Sequence, residues 1–317
     1  MFTEAFTMGY VLGSSERGGD GKYFYTGEWQ IPDDWLTLPR APDSNKAYFI
    51  IDTYPRQDFW LHVSMVAINE VLSEDVTVTV DWGDGTSSQK TFLQGETSNR
   101  WDPEHIYTVG TGTKISDGTE QYEIIVTAER TDIAKIGVGV GYSDESVLQV
   151  AIGENIRSKT KDNLGALREK WRLKVAYLTN PEQFGDWNYT DGDYFFEDFS
   201  LVQFIHPFDI TEIPRYAFYG CYGGVVSNLD LSKVTTVGSW AFAYCILTNQ
   251  ILQMPALITA GESAFFVIRN LREFIAPNLA SIGASAFLGC SILQKVEKAS
   301  DCVIGDRAFD DCVNYIQ

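Results

Sequence analysis

Basic residues are scarce in this chain: 24 Lys plus Arg stand against 43 Asp plus Glu, and the 317 residues carry a formal charge of −19. A surface of that sign repels phosphate backbones and anionic lipid headgroups, which excludes nucleic acid as an expected partner. Histidine, the commonest carrier of protons near neutral pH, occurs only at His62, His105 and His206. None of them lies in a catalytic signature, since Gly-x-Ser-x-Gly, His-Glu-x-x-His and Gly-x-x-x-x-Gly-Lys-Ser/Thr are all missing. No run approaches the ~20 apolar residues of a membrane span, so membrane insertion is not expected. The first ten residues lack a basic leader followed by an apolar stretch, and no Sec export signal is expected there. Cysteine is also sparse, with five residues and no Cys-x-x-Cys pair, so neither a zinc site nor a disulfide framework is expected, and no cofactor is.

Apolar and aromatic residues, at 44% and 14%, are plentiful enough for sizeable cores in two or three domains. In the last third, one motif recurs five times around a Phe: Ile210-Thr-Glu-Ile-Pro-Arg-Tyr-Ala-Phe218-Tyr-Gly-Cys221 and its equivalents centred on Phe242, Phe265, Phe287 and Phe309. The Phe steps are 24, 23, 22 and 22 residues, a period that marks stacked coils. Cys221, Cys245, Cys290 and Cys312 share one slot, three residues after the Phe, with Ile268 filling it in the third repeat. An aliphatic substitute in that slot points to a buried row in which the thiol acts as a small apolar group. Between the motifs, Leu229-Asp-Leu231, Ile251-Leu-Gln-Met254, Leu271-Arg-Glu-Phe274-Ile275 and Leu293-Gln-Lys-Val296 alternate like short strands. They are expected to stack in parallel along one side, with the Ala-Phe segments returning on the other.

This stretch resembles the bacterial-surface variety of leucine-rich repeat, whose repeats carry a Thr-x-Ile-Gly-x-x-Ala-Phe-x-x-Cys signature. It departs from that signature at Pro214, at Ala260-Gly261 and at Ile268. Upstream, Val76-Thr-Val-Thr-Val80-Asp-Trp-Gly-Asp-Gly-Thr86 is an alternating strand running into a Gly-Asp-Gly turn, and His105-Ile-Tyr107 followed by Tyr122-Glu-Ile-Ile-Val-Thr-Ala128 reads as a corner and a second strand. These segments are similar to the signatures of the polycystic-kidney-disease (PKD) type of immunoglobulin-like sandwich. The expected fold is mainly β: an immunoglobulin-like β-sandwich followed by a short leucine-rich-repeat solenoid. The expected boundaries are an N-terminal arm at 1–44, the PKD-like sandwich at 45–140, a connector that caps the first coil at 141–199, and the solenoid at 200–317. Between 135 and 200, 136–142 and 147–152 read as strands and 163–173 as a helix.

No catalytic and no metal-ligating residues are expected. His105 is assigned to the corner of the sandwich as a hydrogen-bonding residue, and His62 and His206 to packing or surface. The acidic run around Asp191, Asp193, Glu197 and Asp198 reads as a solvated loop, with a glycan-active enzyme as the alternative. Asp81 and Asp84 read as turn caps, with calcium binding as their alternative. Candidate binding residues are Tyr216, Tyr219, Tyr222, Trp240 and Tyr244, because they flank the Ala-Phe core at positions the repeat leaves variable. The two resemblances imply recognition without chemistry. The expectation is a non-enzymatic virion component, a phage receptor-binding or decoration subunit that forms homo-oligomers and contacts a host-surface protein or glycan. The alternative is a secreted or cell-surface bacterial adhesin whose leader has been removed.

Overall fold

The computed structural model describes residues 31–53, 71–96, 103–129, 147–157, 173–180, 203–221, 229–247 and 249–315, with Trp101, Val138, Gln183 and Val226, and gives the backbone course of further strands at 15–17, 23–25, 60–67, 100–101 and 136–140. Strands β1 (Ser15–Arg17) and β2 (Tyr23–Tyr25) pair antiparallel within the expected arm. The first large body is built from β3 (Lys46–Asp52), β4 (Trp60–Ala67), β5 (Val76–Asp81), β6 (Ser87–Phe92), β7 (Arg100–Trp101), β8 (Glu104–Ile106), β9 (Thr113–Lys114), β10 (Glu120–Ala128), β11 (Ile136–Val140), β12 (Val147–Ile152), β13 (Val175–Leu178) and β14 (Gln203–Ile205). They form one sheet in the order β14-β13-β12-β3-β10-β5-β6, with β9 on β10, and a smaller one in which β4 pairs with β11, β7 and β8.

Alternation explains β5 directly. Val76, Val78 and Val80 are buried while Thr77, Thr79 and Asp81 face outward. The central strands β3 and β12 are instead buried along nearly their whole length, which the apolar run Ala47-Tyr-Phe-Ile-Ile51 and the run Val147-Leu-Gln-Val-Ala-Ile152, interrupted only by Gln149, permit. Residues 31–44 lie against this sheet. The Leu36 amide donates to Gln121 Oε1 at 2.8 Å, and the Leu36 carbonyl accepts from Gln149 Nε2 at 2.7 Å.

The segment expected to connect the two regions and cap the first coil also supplies strands. Its strands β12 and β13 continue the sheet, and β14, expected to begin the solenoid, is the edge strand of that same sheet. Pairing is antiparallel from β6 to β12 and parallel from β12 to β14, so the parallel pairing mode of the coils is already present at this edge of the sheet. Phe204 of β14 then meets Phe218 of the first coil at 6.3 Å. The helix expected at 163–173 lies outside the described residues, apart from buried Leu173.

Two parallel ladders run through the coils where one was expected. The strands foreseen at 251–254, 271–275 and 293–296 appear as β17 (Ile251–Gln253), β19 (Glu273–Ile275) and β21 (Lys295–Glu297), whereas Leu229-Asp-Leu231 forms no strand. A second ladder forms from the motif itself: β15 (Glu212–Ile213), β16 (Thr236–Val237), β18 (Thr259–Ala260), β20 (Ser281–Ile282) and β22 (Val303–Ile304). The Ala-Phe turns close each coil on a third side.

Inside, Phe218, Phe242, Phe265, Phe287 and Phe309 stack nearly parallel, with successive centroids 5.3, 5.7, 5.0 and 5.3 Å apart. The Ala before each Phe is buried and makes room for the ring of the neighbouring coil. Gly follows the second ladder because a Cβ on Gly283 would fall 2.5 Å from backbone atoms of Gly261 and Glu262 in the coil before. Gly238 and Gly261 each donate their amide to the preceding coil, at the Ile213 and Val237 carbonyls, and Pro214 in the same slot has no amide to donate.

Candidate functional site

The turn side of each coil has an unusual backbone. Residues two before and two after the Phe take positive φ: Tyr216 (57°), Trp240 (61°), Ser263 (52°), Ser285 (56°) and Arg307 (57°) before it, and Gly220 (67°), Tyr244 (61°), Val267 (55°), Gly289 (77°) and Asp311 (59°) after it. A residue bearing a Cβ costs about 1–2 kcal/mol in this conformation. The stack holds it there: Tyr216 N–H donates to Ser239 C=O at 3.1 Å, Trp240 N–H to Glu262 C=O at 2.9 Å, and Tyr244 N–H to Phe266 C=O at 2.8 Å. Each Phe amide between them does the same, as Phe242 N–H to Ala264 C=O at 2.8 Å shows. The turns therefore form a third inter-coil ladder, and glycine would suit its left-handed positions best. Aromatic rings at three of those positions are not explained by backbone geometry.

Those rings meet. Tyr216 stacks on Trp240 at 6.2 Å and 19°, and Tyr219 lies 5.8 Å from Tyr216, 6.4 Å from Trp240 and 5.4 Å from Tyr244. Phe266 of the third coil closes the group at 5.2 Å from Trp240 and 5.3 Å from Tyr244. Tyr244 is exposed and the other four are half-buried, so the group is a surface patch spanning three coils. The Arg215 guanidinium sits 4.8 Å from the Tyr216 ring centroid, and its Nη2 donates to the Tyr216 hydroxyl at 3.3 Å. Four of the five candidate binding residues thus come together, while Tyr222 lies outside the described residues. Phe266 was missed by sequence reasoning. Its signal was present, since it holds the same slot as Tyr219, one residue after the core Phe.

The slot beneath the patch is closed to solvent. Cys221, Cys245, Cys290 and Cys312 are free thiols and buried. They do more than fill space: the Sγ of Cys245, Cys290 and Cys312 donates to the carbonyl of Phe218, Phe265 and Phe287 at 2.8, 3.2 and 3.0 Å. Burial pushes the thiols of Cys245 and Cys290 far up and that of Cys312 to about 11, so all three remain protonated and poorly nucleophilic at neutral pH.

The Gly-Asp-Gly turn of the first body is held internally. Asp84 Oδ1 accepts from the amide and hydroxyl of Thr86 at 3.0 and 2.6 Å, and its Oδ2 lies 2.7 Å from His105 Nε2. His105 stacks on Trp82 at 4.9 Å, and the Tyr107 hydroxyl donates to the Trp82 carbonyl at 2.9 Å. Asp81 Oδ1 accepts from the Gly83 amide at 3.0 Å. Both carboxylates therefore cap the turn. Burial acts to raise the Asp84 carboxyl, but the bonds from Thr86 and His105 outweigh it and hold it below the usual range. Glu120 is governed the same way: burial opposes the charge, and donation from the Gly110 amide, the Tyr122 hydroxyl and the Gly112 amide prevails. His206 is engaged through Nδ1 with the Phe208 carbonyl at 2.8 Å. The side chain of His62 and the acidic run at 191–198 lie outside the described residues.

Residues 191–316 match the BspA type leucine rich repeat region, in six copies where five were read from the motif. The C-terminal part of the chain is thus a leucine-rich-repeat β-solenoid in a mainly β protein, and a region of this type suggests a surface or recognition protein. Such regions are typically surface or extracellular, and no helix among the described residues is long and apolar enough to cross a membrane. No curated protein and no solved structure matches the chain.

Proposed function

We propose that the protein is a non-enzymatic recognition module that binds its partner through the aromatic face of the first three coils, and that the first body serves as a PKD-like immunoglobulin-type support. The observation that carries this reading is the presence of Tyr216, Trp240 and Tyr244 at left-handed positions, where the repeat itself would be served better by glycine. Large amphipathic rings clustered on a surface are the residue types that dominate binding energy in interfaces. For the first body, the support is the Trp82, His105 and Tyr107 cluster at the PKD-like signature. The setting we propose is the exterior of a particle or cell, a virion first and a bacterial surface second, with host-surface protein or glycan as the partner.

The repeat supplies its own test variants. Ser occupies the Trp240 slot in coils three and four, and Gly occupies the Tyr244 slot in coils one and four. Trp240→Ser together with Tyr244→Gly is expected to leave folding intact and to weaken attachment to intact host cells about tenfold or more, measured by flow cytometry with labelled protein. Undiminished attachment by the folded double variant would refute the assignment of the face.

A further inference from the structure

The turn face changes character along the solenoid. In the first three coils its outward slots hold the aromatic patch, whereas the fifth coil places Arg307, Asp310 and Asp311 in those same slots and Asp306 beside them, in the slot of Arg215 and Glu262. Coil-to-coil hydrogen bonds keep the slots in line, as Ser285 N–H to Asp306 C=O at 2.8 Å and Gly289 N–H to Asp310 C=O at 2.9 Å show for the last step. The face therefore carries rings at one end and carboxylates at the other. Across its outward slots there are four acids, counting Glu262 beside Trp240, against two bases. Both bases are already engaged, Arg215 on the Tyr216 ring and Arg307 with Asp310 Oδ2 at 2.9 Å. Asp306 and Asp311 are exposed.

We infer that this face takes a basic polypeptide segment, laid along the solenoid axis with Arg, Lys or aromatic side chains on the rings and further basic residues over Asp306 and Asp311. This deepens the proposed function and rests on it. Three features select that partner. The whole chain carries −19 and steers cations toward it. Clustered Tyr and Trp rings attract guanidinium and ammonium groups, and one such contact already exists within the patch at Arg215. The geometry also suits an extended chain, because five coils at a spacing of ~4.8 Å span about 19 Å, the length of roughly six extended residues.

The probe is a fluorescent peptide of about eight residues alternating Arg and Trp, compared with the Glu and Trp and the Ser and Trp versions of the same length and with a linear glucan oligosaccharide, all on the full chain. Binding is read by fluorescence anisotropy. The Arg peptide is expected to bind at least about tenfold more tightly than the Ser peptide and to weaken about tenfold with Trp240→Ser. It is also expected to weaken about threefold with Asp306→Ala plus Asp311→Gly, residues found in the same slots of other coils, and to weaken further as salt rises from about 0.05 to about 0.5 M. Equal binding of Arg and Ser peptides, both lost with Trp240→Ser, would overturn the basic partner while keeping the face. Glucan binding lost with Trp240→Ser, with no peptide binding, would overturn the polypeptide class and keep the face. If every probe is indifferent to Trp240→Ser in folded protein, both this inference and the proposed function fall.

Discussion

Among the described residues of the first body, every left-handed backbone position is a glycine: Gly83, Gly85, Gly95, Gly110 and Gly118. In the coils, nine non-glycine residues take the same conformation, including Tyr216, Trp240 and Val267. The two regions solve one steric problem differently. An isolated turn must carry the residue that its own φ tolerates, because little else holds the backbone there. Six of the nine, Tyr216, Trp240, Tyr244, Ser263, Val267 and Ser285, donate their amides to the next coil, and that ladder enforces the left-handed state and leaves the side chain open to another use. The same contrast appears in the polar groups. The first body relies on unique contacts such as Asp84 with His105 and Glu120 with Gly110, whereas the solenoid repeats one thiol-to-carbonyl bond in coil after coil.

The largest effect is expected inside the stack. Phe265→Ala removes a ring packed between Phe242 and Phe287 and should cost about 3–5 kcal/mol in denaturant unfolding, while Phe309→Ala, on the half-buried ring of the last coil, should cost clearly less. Equal costs would show that the coils do not depend on translational packing. Next, Gly283→Ala drives a Cβ into the backbone of the preceding coil and should cost about 1–3 kcal/mol, more than Gly85→Ala, whose Cβ meets nothing within 4 Å and which bears only the price of its φ.

The pH response should divide the molecule. Asp84 and Glu120 have folded values below their ordinary ones, so their contribution is complete above about pH 4.5 and is lost as pH falls through the depressed values. Cys245, Cys290 and Cys312 have raised values, so their contribution is complete below about pH 8.5 and is lost as pH rises, at up to about 1.4 kcal/mol per pH unit for each of the fully buried Cys245 and Cys290. Hydrogen exchange resolved by region should show the first body loosening on the acid side and the solenoid on the alkaline side, and Glu120→Gln should flatten the former alone. The smallest effect belongs to Tyr244→Gly. Relief of the left-handed strain offsets the lost ring contacts, and the melting temperature is expected to move by no more than about 2 °C.

Much of the solenoid was legible because a repeat states its packing several times over. The Phe spacing, the buried slot shared by Cys and Ile, and the strands at 251–253, 273–275 and 295–297 follow from register alone. The second ladder was not legible, since Thr236-Val237 and Ser281-Ile282 are too short to carry a strand pattern by themselves. Phe266 was hidden for a different reason. Next to a core Phe it looks like more core, and only the turn of the coil sends the two neighbouring rings to opposite sides.

From residue order come the period, the inward row and the turns that demand glycine, because each depends on contacts that recur at fixed intervals or on the φ of a single residue. Three-dimensional assembly settles the rest: that β12, β13 and β14 extend the first sheet, and that rings about two dozen residues apart become one patch. Such long-range pairings gain their free energy from surfaces that meet only after the chain has closed on itself, and nothing local in the sequence encodes where they meet.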